Sequence, residues 1–196
     1  MVAVAAPFGA RPSKGLAARY QTTGNELFPI ADGYATNIFY GDFVQRVANG
    51  TIEKVTGTTG VDILGVFIGC EYTEPNLNYR LRGQYYPANT VGEVGSVNQI
   101  NAYVVTDPDV IFLMQANGPI TLADVGQNAA IVQTAGVSQI GNSRNALDQT
   151  SLATTATLPL RIVDIDTGPQ NVAGDAFTNV LVKINATHQY NDLTGV

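Results

Sequence analysis

Tryptophan is absent from this chain, and cysteine and histidine occur once each, as Cys70 and His188. A lone cysteine makes no internal disulfide, so the fold does not rest on that cross-link. One histidine with one cysteine also argues against a structural zinc site. Charge is scarce as well: Asp, Glu, Lys and Arg together make up 13% of 196 residues. Acid–base, thiol and metal chemistry all draw on these residue types, so no catalytic residue, metal or cofactor is expected. Lysine and arginine number 10 against 16 acidic residues, for a net charge of −6. The broad basic field that nucleic acid demands is missing. No window approaches the roughly 20 apolar residues of a spanning helix, so a membrane is not an expected partner either. Met1–Ala10 is small and apolar, but no positive stretch precedes it, and Pro7 and Gly9 interrupt it. It does not read as a secretory signal, and a product that stays or is assembled in the cytoplasm is expected.

Strand signal is what the chain has in abundance. Its length suits one larger β-domain or two small ones, and a chain of this size buries roughly 70% of its unfolded surface without a staple. The fold class is therefore read as all-β: a mostly antiparallel barrel or sandwich with little helix and an extended N-terminal arm. Residues 1–30 form that arm in this reading, because Pro7, Gly9, Pro12, Gly15, Gly24 and Pro29 recur too often for a helix or a long central strand. The β-rich body then spans 31–196. A faint echo between Asp109–Ala116 and Asn179–Ala186 suggests two related units, about 31–117 and 118–190.

Within the body, Asp42–Val47 and Thr51–Thr56 flank Asn49-Gly50, which predicts a hairpin with a type I′ turn. Val61–Tyr72 reads as a long strand, with Gly65 and Gly69 as places for a bulge or bend. Ala102–Thr106, Val110–Gln115, Leu158–Ile165 and Val180–Asn185 are further predicted strands. A short helix competes over Leu122–Ala130. Thr134–Thr157, rich in Ser, Thr, Asn, Gln and Gly, reads as a long surface excursion with a helical turn at Ser143–Gln149.

Several residues invite a chemical reading. Asp164 and Asp166, two apart on a strand, share a face, but no histidine or third carboxylate stands near them in sequence. They read as a solvated edge beside Thr167-Gly168-Pro169. Asp107 and Asp109 flank Pro108 and read as turn formers. Cys70 lies in a β-patterned run with only Glu71 beside it, and reads as a small buried hydrophobe. His188 follows the last predicted strand and reads as a surface or interface residue. Arg80, Arg82, Tyr85 and Tyr86 form a polar, aromatic stretch of the kind enriched at protein contacts. Arg11, Lys14 and Arg19 all precede the first acidic residue, Glu26, so the beginning of the chain is locally positive and suited to an acidic partner surface.

Four segments, Asn37–Val44, Ile63–Phe67, Leu158–Val163 and Val180–Asn185, resemble virion structural proteins of tailed bacteriophages from marine and cyanobacterial hosts. Some proteins of that kind are capsid decoration, or cement, proteins, and the likeness spans about residues 25–192. The resemblance implies a β-rich barrel or sandwich on the outer capsid surface, with the major capsid protein as partner. It further implies self-association, as a dimer or trimer, and assembly in the host cytoplasm, and it brings no catalytic residues. Another virion component is the main alternative: a head fibre base, a tail-tube subunit or a shell subunit, although no long spine helix is visible. A carbohydrate-binding module is a weaker one, since its usual tryptophan platform is missing.

Overall fold

The computed structural model describes residues 4–15, 25–74, 79–92, 95–96, 99–166, 168 and 170–189, with the backbone alone for Lys14, Gly15 and Glu74. Twelve strands among these residues run β1 Arg11–Gly15, β2 Asn25–Pro29, β3 Phe43–Arg46, β4 Ile52–Lys54, β5 Gly65–Glu74, β6 Tyr79–Gly83, β7 Asn101–Val105, β8 Val110–Gln115, β9 Asn128–Val132, β10 Ala146–Ala153, β11 Leu160–Ile165 and β12 Asn179–Ile184. They make two six-stranded sheets. The first has the order β1-β8-β12-β11-β9-β10; the second has β2-β7-β5-β3-β4, with β6 added beside β5. All strand pairs are antiparallel. The architecture is a sandwich. One parallel bridge, Ala116 to Leu147, draws β10 toward the end of β8, but the barrel does not close.

Side-chain alternation explains the packing. Val110, Phe112 and Met114 of β8 and Val180, Val182 and Ile184 of β12 meet Phe43, Val66 and Val105 of the second sheet in the main core. The neighbours Val44, Phe67 and Val104 point the other way, into a second cluster with Ile30, Ile38, Ile100 and Tyr86. Loops cover that outer face, so the middle strands of the second sheet are buried on both sides. Gly65 starts β5 because a side chain there would collide with the Val105 carbonyl oxygen. The bulge expected near Gly69 falls between Phe67 and Gly69 in the β5–β7 pairing.

The structure corrects several expectations. Where they are described, the first 30 residues are extended and pair into both sheets. β1 is an edge strand of one sheet and β2 an edge strand of the other. Gln115 holds Val4 and Ala6 through its side-chain amide, and Ala10 is fully buried. Pro12 is tolerated because it sits at an edge and beside a bulge. The Asn49-Gly50 hairpin forms, but Gly50 alone has positive φ, at 83°. Asn49 instead accepts hydrogen bonds from the Thr51 amide and hydroxyl, a side-chain turn that competes with type I′. Leu122–Asp124 is a single 3-10 turn followed by a strand, β9. Part of the supposed excursion, Ala146–Ala153, is the edge strand β10, and the helical turn at Ser143–Gln149 is replaced by its start. Polar composition hid it: its outer edge is solvated while Ala146 and Leu147 are buried. The echoing segments around β8 and β12 are antiparallel neighbours in one sheet. Residues 192–196 lie outside the described residues.

Candidate contact surface

The face of the second sheet that meets the first through Val66 and Val105 continues along β5 and β7 beyond the main core. There it carries Gly69 and Glu71 on β5, Tyr103 and Asn101 on β7, and Arg82 on β6 directly opposite Glu71. Leu27 of β2 lies opposite Tyr103 and is 53% exposed. Four strands thus lay one stripe, Leu27–Tyr103–Glu71–Arg82, across the sheet.

Glu71 organises the stripe. Its Oε1 accepts from Arg80 Nη2 at 2.5 Å, and its Oε2 accepts from the Tyr103 hydroxyl at 2.7 Å. Arg82 Nε stands 3.4 Å from Oε2, and the same guanidinium lies 5.5 Å from the centre of the Tyr103 ring. The hydrogen bond from Tyr103, with that from Arg80 and the charge of both guanidinium groups, holds the Glu71 carboxyl below its ordinary range despite burial. Burial and the facing carboxylate push the Tyr103 phenol up. One carboxylate therefore serves two guanidinium groups, whose side chains are 43% and 76% exposed at Arg80 and Arg82. Among the described residues the surface is locally cationic and flanked by apolar area at Leu27 and Tyr103.

Not every residue expected at a contact belongs here. Tyr85 stacks on Phe39, with ring centres 5.4 Å apart. Tyr86 is fully buried, donates its hydroxyl to the Tyr34 carbonyl, and has its phenol pushed up to about 12 by desolvation. Tyr86 is thus a core residue, a correction to its expected contact role. Arg11 is half-buried on β1, over the Phe8 ring at 4.5 Å. The Lys14 backbone pairs with Ile111, while Arg19 lies outside the described residues. Glu71 and Tyr103 were missed from sequence. An antiparallel pairing of the segment that carries Glu71 with the segment that carries Arg82 was the one available signal.

Other polar groups do internal work. Asp42, fully buried, accepts from the Phe39 amide, Ser143 Oγ and Asn145 Nδ2 and pairs with Lys54 at 2.9 Å, tying the two sheets together. His188 is buried rather than on the surface: Nδ1 and Nε2 face the Val61 and Ala156 carbonyls at 2.7 and 2.8 Å and anchor the 3-10 turn Ala186–His188. Cys70 is buried, as expected, and its thiol is pushed up to about 12 by desolvation. Asp107 accepts from the Asp109 amide in the expected turn. Asp164 and Asp166 line a shallow hollow with exposed Leu122 and Val172. No helix among the described residues is long and apolar enough to cross a membrane. Compared with protein-family models, curated proteins and solved structures, the chain matches none.

Proposed function

We propose that this chain is a non-enzymatic phage capsid decoration, or cement, protein that binds the outer surface of the head and stabilises the icosahedral shell. Its partner in this reading is the major capsid protein, and copies associate with one another on the lattice. The reading rests on the resemblance of its β-segments to virion structural proteins. The observation that carries it in the structure is the exposed Arg80–Arg82 surface, rigidified by Glu71 and Tyr103 and bordered by Leu27. Arginine and tyrosine on a preorganised sheet lose little side-chain entropy on docking, so a repeated contact retains most of its interaction energy. A molecule that binds the assembled shell and not its free subunits raises shell stability by mass action.

The test is the position of this chain in an electron cryomicroscopy map of the intact virion. Density on the outer head surface, with Arg80 and Arg82 at a capsid contact, is the expected result. Density in the DNA-filled lumen or along the tail overturns the reading.

A further inference from the structure

Sheet edges invite added strands, and folded proteins usually block them with proline, bulges or brevity. Most edges here are blocked in those ways. β1 carries Pro12 and a bulge, β2 closes on Pro29, β4 has three residues, and β10 breaks register between Asp148 and Ala153. β6 is different. It pairs with β5 in unbroken register from Tyr79 to Gly83, contains no proline, and has no strand on its other side among the described residues.

We propose that the free edge of β6 accepts an added strand from a partner protein, and that this strand carries carboxylates at alternate positions. The inference rests on the contact surface assigned above and names the chemistry of what binds there. Charge selects the occupant. Arg80 and Arg82 are two apart on a strand and so share one face, with a repeat of roughly 6.7 Å. Among the described residues they share a single carboxylate, Glu71, which also takes the Tyr103 hydroxyl. A neighbouring strand with acidic side chains at the same two-residue repeat completes both cations. Opposite charges across strands stabilise a pair, and like charges directly opposite destabilise it. A second copy's β6 would bring arginines against arginines, which disfavours self-pairing at this edge. On the opposite face, Tyr79, at 49% exposure, and half-buried Leu81 offer apolar contact to the residues between the carboxylates.

The experiment uses the full chain and two blocked heptapeptides, one alternating Glu with Val and one alternating Lys with Val. Binding is followed by isothermal titration, and strand addition by amide hydrogen exchange. The Glu peptide should bind at least about tenfold more tightly than the Lys peptide and slow exchange within Tyr79–Gly83. The double substitution Arg80→Glu/Arg82→Glu should reverse the preference, while circular dichroism confirms that the fold persists. Equal binding of the two peptides, or no slowing within Tyr79–Gly83, overturns the inference. Occupancy on phage heads separates it from the decoration reading. If peptides bind the edge but the chain does not bind heads, the decoration reading falls and the edge stands. If the double variant leaves the heads while no peptide adds to β6, the edge falls alone.

Discussion

Glu71 illustrates how a single side chain sets the character of a surface. Its carboxyl is held low by Tyr103 and the two arginines, so its contribution to stability is present above the ordinary glutamate value, about 4.3, and is lost as pH falls through the lower folded value. Glu71→Gln should therefore be less stable than the wild type at pH 7, by about 1 kcal/mol from weakened charged hydrogen bonds. The gap should close on acidification below pH ~4. Urea denaturation of both proteins across pH measures this, and a gap independent of pH would contradict it. Asp42→Ala strands Lys54 and leaves Ser143 and Asn145 without their acceptor, so a loss of about 3–5 kcal/mol is expected in the same assay. Cys70 should resist a thiol reagent such as DTNB at pH 8 until the chain is unfolded; rapid labelling of the native protein would contradict its burial. Cys70 was legible because the run around it alternates as a strand. Tyr85 and Tyr86 were not separable, because adjacent residues on irregular chain give no alternation to say which one points inward.

Elements were legible where apolar periodicity was strong. β3, β5, β7, β8, β11 and β12 all fall within or close to predicted strands. Gly65 and Gly69 mark where β5 begins and bulges, as glycine in a strand suggests. At Gly65 any side chain meets the backbone of β7, and backbone cannot rotate away. Gly65→Ala should cost about 3 kcal/mol and shift the thermal midpoint down by several degrees, as read by differential scanning calorimetry. An unchanged midpoint would mean that β5 and β7 do not approach as described. The elements that escaped were mostly edges: β1 with its proline, β2 beside it in sequence, β6 and the polar β10; the interior β9 escaped because a short helix competed over the same residues. An edge strand is half solvated, so its composition resembles a loop and only its partners reveal it. The contact stripe escaped for a related reason. Its parts lie on four strands, and only the β5–β6 register brings Glu71 to Arg82.

At the scale of the whole molecule, the sheets do not follow the chain in halves. β8 leaves the second sheet's company and joins β12, while β1 reaches across from the N-terminal side to pair with β8. Removing residues 1–25 would therefore delete a strand as well as charge, and is a poor probe of a basic arm. Charge reversal at Arg80 and Arg82 probes the surface without altering either core cluster, although it leaves Glu71 without its cationic partners. In the proposed role this molecule works by adding contacts to an assembled shell. The most direct measurement of that role is the temperature at which phage heads lacking the chain release their DNA, before and after the purified chain is restored. The account predicts a higher release temperature with the wild-type chain and no rise with Arg80→Glu/Arg82→Glu. Identical release curves with and without the wild-type chain would contradict it.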